Sequence, residues 1–421
     1  MADSALKITT YRDAVCTACG CLCDDIDLSV SDNRIVAADR ACFLGTSWFL
    51  ADHSRQDRSV AMVNGIHTSA EAAIAEAVTI LRASRSPIVL GLTQTTIETQ
   101  KEAVAIADRI GATIDPGRSA DSLARWRAIQ RVGMVSATLG EVRNRADVIV
   151  FWGVDPVSTH PRHLERYSGD PVGRFVPKGR RGRTIVVVDA EASTTSKVAD
   201  HFLRISQADQ ADALSMLRML VRAVEPREVP PALRQLAETM RSARYGAIFF
   251  GPNLGESANV EEALKLVRDL NRFTRFVALT LGGPGNPGGA EAVLSWQAGS
   301  PRAVNFGAGY PRFLPGDASS ERLARGEADV ALVVADDPGS FLTPDALAQF
   351  DRIPTIVISP NATAGRFTVA MNSAIPGIHA TGTVLRCDGA ALPLQAPVKS
   401  DLPSDRDWLI AIRKKLVEAS S

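Results

Sequence analysis

The sequence has no surplus charge of either sign, since its 47 lysines and arginines match its 47 aspartates and glutamates. A balanced chain has no global field with which to hold a polyanion, so neither nucleic acid nor an anionic membrane is an expected partner. Long apolar runs are missing too. No stretch approaches the roughly 18–20 residues that span a bilayer. The start, Met1 to Thr10, is mixed polar and lacks the apolar segment of a secretory leader. The expectation is a cytoplasmic globular protein. Histidine is scarce, with six in 421 residues, and no His-x-His or His-x-x-x-His spacing occurs, so a metal-dependent hydrolase site is not expected. Gly-x-Ser-x-Gly is absent, which removes the serine-hydrolase elbow.

Cysteine is almost missing beyond the first tenth of the chain. Five of the six lie within the first 42 residues, too lopsided for a disulfide framework, and a reducing compartment fits better. Cys387, the sixth, has no neighbour and reads as a buried or incidental thiol. What is present is a rare spacing: Cys16, Cys19 and Cys23 as Cys-x2-Cys-x3-Cys, then Cys42 after 18 intervening residues. Thiolates are soft ligands, and four at such spacing can wrap a [4Fe–4S] cluster. Two other readings stay open: zinc, or a motif that folds without metal. Cys21 is a spare thiol inside the run, and Asp24 and Asp25 read as turn or cap residues. A cluster would hold together a module of roughly 40 residues that has little core of its own.

The remaining pattern alternates strands and helices. Thr9-Thr-Tyr-Arg, Ile26-Asp-Leu-Ser-Val30 and Ile35-Val-Ala-Ala predict a small β module, with a turn at Asp32-Asn33. Thr68 followed by Glu71 predicts a capping box opening a helix, and a second helix is expected from Thr96 to about Ile110. Continuous apolar runs such as Ala146 to Gly153, Thr184 to Asp189, Ala247 to Gly251 and Val330 to Ala335 predict strands buried on both faces, as in parallel sheets covered by helices. The expected fold class is α/β: two Rossmann-like lobes of open, mostly parallel sheet with helices on both faces, plus the N-terminal Cys-rich β module and no C-terminal β-barrel. Boundaries are expected at 1–52 for the module, 53–225 and 226–390 for the lobes, and 391–421 for a C-terminal tail and helix, with Glu225-Pro-Arg-Glu-Val-Pro-Pro as the inter-lobe linker. Ligands bind beyond strand carboxyl ends in such sheets, an edge that here carries Asp155, His160, Asp189, Asp337 and Asn361. Gly282-Gly-Pro-Gly-Asn-Pro-Gly-Gly289 is no P-loop, because no Gly-Lys-Ser/Thr follows. It reads as a structural turn or as a ligand-approach loop, since glycine serves both.

Taken in order, the motifs resemble the B subunit of formylmethanofuran dehydrogenase, within the molybdopterin oxidoreductases. They are Cys16-Thr-Ala-Cys-Gly-Cys-Leu-Cys-Asp-Asp-Ile26, Leu139-Gly-Glu-Val-Arg-Asn-Arg-Ala-Asp147, Trp152-Gly-Val-Asp-Pro156 and His160-Pro-Arg-His163. Further on come Val188-Asp189 with Ala199-Asp200, Trp296-Gln297, Gly309-Tyr-Pro-Arg312, Asp337-Pro-Gly339 and Gly382-Thr-Val-Leu-Arg386. The resemblance spans essentially the whole chain. It implies a cysteine or selenocysteine ligand to tungsten or molybdenum just before the helix leading to Ala128-Ile-Gln-Arg-Val-Gly133, and an adjacent histidine. The matching positions here are Asp121 and Ser122. The turn that contacts pterin in that superfamily reads Gly153-Val-Asp155-Pro, placing a carboxylate where a pyrophosphate would lie. A glycine-rich turn is replaced by Ser206-Gln-Ala-Asp209-Gln, and an expected glutamate by Thr381.

This erosion resembles the B subunits of the formyltransferase/hydrolase complexes of methylotrophic bacteria. The resemblance implies a non-catalytic scaffold that sits with amidohydrolase-like, formyltransferase and third scaffold subunits. Those partners move a formyl group from a tetrahydromethanopterin carrier to a furan-type carrier and hydrolyse it to formate. Asp155, Asp189, Trp296, Gln297 and Arg312 would then line a vestigial pterin crevice, with molybdopterin or tungstopterin not expected. Two alternatives stand next to it. One is a pterin-dependent dehydrogenase using Asp121 as ligand; the other is an iron–sulfur electron-transfer or redox-sensing subunit. Locally, His160, Arg162 and His163 read as a ligand cluster or as an ordinary polar loop. His53, His67, His201 and His379 are scattered and read as surface residues or satisfied core partners. Lys178-Gly-Arg-Arg-Gly-Arg183 reads as a solvated basic loop or a contact for an acidic partner or carrier tail.

Overall fold

Val148–Trp152 and Tyr245–Phe250 are buried at every position, which only a sheet covered on both faces allows. In the computed structural model they form the middle of a five-stranded, wholly parallel sheet. Its order is His201–Arg204, Thr184–Asp189, Val148–Trp152, Tyr245–Phe250, Arg275–Thr280. Counted along the chain this is 3-2-1-4-5, the dinucleotide-fold order, whose switch point lies between Val148–Trp152 and Tyr245–Phe250. The structure describes residues 8–53, 59–117, 120–251, 254, 257–314, 319–365 and 367–419, with the side chains of 120–122 and 319 outside it.

A nine-stranded sheet holds the other α/β unit. Five parallel strands, Thr113–Asp115, Pro87–Gly91, Val330–Val334, Thr355–Ser359 and Val369–Asn372, stand in that spatial order. This is 2-1-3-4-5, the other common doubly wound order, with its switch point between Pro87–Gly91 and Val330–Val334. Antiparallel hairpins close both ends, Val304–Asn305 with Arg312–Phe313 and Ala61–Val63 with Ile66–Thr68. Both sheets carry an apolar cluster on each face, so the α/β class with helices on both sides holds, and no closed barrel forms among the described residues. No helix there is long and apolar enough to cross a membrane.

The division into units differs from the consecutive segments expected. One unit comprises Met1–Arg118, Gly283–Arg386 and Ala391–Ser421; the other is Ser119–Gly282 with Cys387–Ala390. The proline-rich stretch after Glu225 therefore joins two helices of one unit, Gln210–Val221 and Pro231–Ser242, which bury Leu217 and Leu236 in the same apolar cluster. Its turn chemistry marks a helix–helix connection rather than a lobe boundary. The expected C-terminal helix is present, and residues 391–419 belong to the nine-stranded unit instead of forming a separate segment. Ala391–Leu394 pairs with Gly382–Leu385, and the helix Asp405–Glu418 buries Trp408, Leu409, Ile412 and Leu416 in the nine-stranded unit.

Thr96 caps Ile97–Ile110 as expected, its hydroxyl accepting from the Thr99 amide. At the preceding helix, Ala70–Ala83, the cap is Ser69 and not Thr68, which ends a strand. Two adjacent hydroxyl residues make both registers plausible from sequence. A complete capping box does occur, between Ser404 and Asp407.

Asp405, buried in the first turn of that last helix, accepts a 2.8 Å hydrogen bond from Thr95. Burial pushes its carboxyl up to about 6; the Ser373 and Thr95 hydroxyls oppose the rise and the Asp336 carboxylate adds to it. A carboxyl raised on folding contributes stability that is complete below its unfolded value and is lost as pH rises through the folded one. Asp405→Asn is therefore expected to flatten the loss of stability between about pH 4 and pH 6, on the order of 3 kcal/mol. Thermal or urea unfolding of both chains across that range checks this, and parallel curves would contradict it.

Candidate functional site

The three-stranded antiparallel sheet Thr9–Ala14, Ile26–Ser31 and Arg34–Asp39 frames the cysteine loop. Asp32 and Asn33 both take positive φ, 49° and 59°, as a tight two-residue hairpin turn requires. Between the first two strands the loop closes on itself, with the Cys16 amide donating to the Cys23 carbonyl at 2.9 Å and Leu22 to Cys19 at 3.2 Å. Cys16, Cys19, Cys21 and Cys23 are buried, and Cys42 is half-buried at the start of Phe43–Phe49 without capping it. Gly45 sits where a Cβ would stand 3.1 Å from the Cys16 sulfur.

Burial drives the Cys16 thiol up to about 12, opposed by the Ala18 backbone and reinforced by Cys23, Cys19 and Cys42. All four predicted ligands thus share one electrostatic neighbourhood. A hydrogen bond from the Cys21 side chain brings Cys19 down to about 7, against burial, so the spare cysteine has a partner. Among the described residues no three His, Cys, Asp or Glu side chains converge as one metal ion would need. A [4Fe–4S] cluster is bound by four thiolates and makes no such demand of a single point. Four soft thiols around one loop are the kind of donor set such a cluster takes, and Cys16, Cys19, Cys23 and Cys42 would hold it; bound there it would supply one-electron transfer or a covalent cross-link of the loop.

At the carboxyl edge of the five-stranded sheet, Asp155 follows the central strand. Its carboxylate accepts from Ser158 Oγ at 2.7 Å, from the Thr195 and Thr194 amides at 2.9 and 3.3 Å, and from Thr195 Oγ1. Burial alone would raise this carboxyl; the hydrogen bonds outweigh it and hold it below the usual range. The donors that could greet a phosphate are already taken by an internal anion. Ser206 likewise gives its hydroxyl to Asp209. These residues do not fit the pyrophosphate of a pterin cofactor. Asp189 ends the neighbouring strand, buried, accepting from the Ala190 amide at 2.8 Å.

His160 bonds Thr159 Oγ1 and the Gly282 carbonyl, both at 2.8 Å, and burial lowers its affinity for a proton. His163 is fully buried among Phe151, Phe249 and Tyr167, bonded to Ser168 at 2.9 Å. Burial, then the proximity of His160, takes it down to about 3. Arg162 pairs with Glu165 at 3.0 Å. The cluster is thus a structural corner with neutral imidazoles. The basic stretch is divided: Lys178 and Arg181 are exposed, as a solvated loop would have them, and the other two cations are engaged within the chain. Arg183 is buried against the Val142, Ala146, Arg143 and Pro171 carbonyls, and Arg180 holds Asp200 at 2.9 Å.

In the nine-stranded unit, Asp337 and Asn361 do lie at the carboxyl edge, where they help line a cavity of about 1190 Å³. Its floor includes Asp336, missed in the sequence, which accepts from the Thr93 amide at 2.7 Å and hydroxyl at 2.9 Å. The doublet Asp336-Asp337 closing an apolar strand was the available signal. His53 and His379, scattered in the sequence, meet edge-on at 6.1 Å on the cavity wall. The Gly282–Gly289 loop makes a tight turn, since Gly285 has φ +77° and a Cβ there would lie 2.3 Å from the Thr93 carbonyl, and through Gly285 and Asn286 it also lines this cavity, so both readings of the loop stay open. Asn286 caps the following helix by accepting from Gly289, and its amide group donates to Thr95. Trp296, Gln297 and Arg312 do not line this cavity; all three are exposed, Trp296 by 63%. Asp121 and Ser122 fall in the first turn of Ala120–Val132, but their side chains lie outside the described residues.

No protein-family model matches the chain. It is 34% identical to the B subunit of tungsten-containing formylmethanofuran dehydrogenase 2 from Methanocaldococcus jannaschii, over 98% of this chain and 99% of that one. The chain belongs to the formylmethanofuran dehydrogenase B-subunit family. The Methanococcus maripaludis protein of the same name is 30% identical over 97% of the chain and 99% of its own length. The B subunit of the formyltransferase/hydrolase complex Fhc of Methylorubrum extorquens is 28% identical over 85% of the chain and 98% of its own. The fold matches a chain in the crystal structure of that organism's FhcABCD complex with methylofuran, at a TM-score of 0.74 and 26% identity, covering 86% of this chain and 99% of the other.

Replacing Cys16 or Cys42 of this family member by serine is expected to lower the iron content of anaerobically purified chain and its melting temperature together. An iron-free native chain whose variants melt unchanged would point to a loop that folds without metal.

Proposed function

We propose that the chain is the B subunit of a formyltransferase/hydrolase complex and serves there as a scaffold without redox catalysis. In this reading it acts in the cytoplasm and holds amidohydrolase-like, formyltransferase and third scaffold subunits in one assembly. Those partners convert formyl-tetrahydromethanopterin to formate through a furan-type carrier. The observation that carries the reading is Asp155: its carboxylate occupies the amide and hydroxyl donors at the strand exit where the family implies a pterin pyrophosphate. Asp121 and Ser122, at the positions of the implied metal ligand and its histidine, point the same way. The fold match to a chain of the FhcABCD complex supports the assembly.

A second reading has an observation of its own. Identity is higher, and coverage more complete, to the tungsten dehydrogenase subunits than to the Fhc subunit. In that reading the chain is a catalytic subunit with Asp121 as the metal ligand. The electron-transfer reading rests on the four cysteines alone.

Metal and pterin content of the complex, purified without oxygen, separates the three. The scaffold reading expects no pterin and formate production that Asp121→Ala leaves within about twofold. Pterin with tungsten or molybdenum, and collapse of turnover in an intact Asp121→Ala complex, would overturn it in favour of the dehydrogenase. Iron without pterin, with turnover that follows cluster reduction, would assign the electron-transfer role.

A further inference from the structure

The amino edge of the five-stranded sheet, opposite the one bearing Asp155 and Asp189, opens into a cavity of about 520 Å³. Its position follows from where the strands begin. Arg145 precedes Val148–Trp152, Arg244 precedes Tyr245–Phe250, and Arg275 starts Arg275–Thr280, so three guanidinium groups gather at one rim. Phe175, Val135 and Val277 supply apolar wall. Two of the cations have partners within the chain. Arg244 stands 2.9 Å from Asp147, and Arg145 is 3.6 Å from Glu141, the one carboxylate lining the cavity. The Arg145 guanidinium carbon also lies over the Phe175 ring, 4.6 Å from its centre, a contact that restrains an otherwise flexible side chain. Arg275 is exposed, and its guanidinium has no hydrogen-bond or ion-pair partner among the described residues. The chain as a whole is neutral, so this leftover positive charge is a local feature and not part of a general basic surface.

We propose that this cavity binds a carboxylate carried on a flat or apolar group, with Arg275 taking the carboxylate and Phe175 and Val135 holding the rest. A guanidinium presents paired N–H donors that match the two oxygens of a carboxylate, a geometry lysine lacks. Apolar walls strengthen that pairing by lowering the local dielectric. The volume lies within the range of roughly 300–1,000 Å³ typical of small-ligand sites. Glu141 does not bar an anion, because Arg145 and the Tyr245 hydroxyl both face it. The same chemistry could arrive as a free aromatic acid or as an acidic side chain beside an aromatic one in a polypeptide.

The test titrates the full chain at low salt with benzoate, its neutral counterpart benzamide, and acetyl-Phe-Glu-amide, followed by calorimetry. At least one of the two carboxylates is expected to bind tenfold or more tightly than benzamide. Arg275→Ala is expected to cut that affinity at least tenfold, while Arg275→Lys keeps part of it, and added salt weakens binding. Tighter binding of benzoate assigns a free acid as the source; tighter binding of the peptide assigns a polypeptide segment. Equal binding of benzoate and benzamide, no binding of either carboxylate, or unchanged affinity in an Arg275→Ala chain that melts normally would overturn the proposal.

Discussion

Parallel strands crowd their exits onto one edge, and the loops leaving that edge must be held without a neighbouring hairpin to pin them. In both sheets an aspartate does the holding. Asp155 leaves the first strand of the five-stranded sheet and gathers the Thr194–Thr195 loop that follows the next one. Asp336 leaves the third parallel strand of the other sheet and gathers Thr93, just past the first. Each carboxylate sits at or beside a topological switch point. Backbone amides there bind either a ligand's anion or the protein's own, and the short hydrogen bonds to Asp155 commit one edge to the latter.

That commitment bears on the scaffold reading proposed above. A chain relieved of redox chemistry would need to keep only what the fold needs, the buried strands and the capped helices, and could fill the crevice with its own side chains. The cysteine loop is the feature that this reading explains least. Its buried thiols are tolerated as small apolar groups while they keep their protons, and burial holds Cys16 in that form, so ionising the set together would need a positive partner.

The fold class was legible because buried parallel strands announce themselves: Val148–Trp152, Thr184–Asp189 and Val330–Val334 are runs no other element would tolerate. The grouping of strands into units was not legible. Pairing of Pro87–Gly91 with Val330–Val334 spans more than half the chain, and no local signal encodes so distant a partner. At the candidate site, Asp155 and Asp189 stood at the edge where the strand pattern put them. The same reasoning could not foresee that Thr195 would meet Asp155, since that contact depends on how two loops fold over each other. Trp296 and Arg312 were read as crevice residues from motif order, which carries no information about facing; both are exposed and neither lines the cavity of the nine-stranded unit.

The distant pairing also sets an order of events during synthesis. Every strand of the five-stranded sheet has been made by Thr280, so that unit can assemble its sheet while later residues are still being added. The nine-stranded sheet has to wait: Pro87–Gly91 stays without its inner neighbour until Val330–Val334 emerges, an apolar strand with an open edge for some 240 residues of translation. At roughly 5–20 residues per second that is an exposure of tens of seconds. The first unit begun is the last completed, and the nascent chain's need for chaperones is concentrated in that interval.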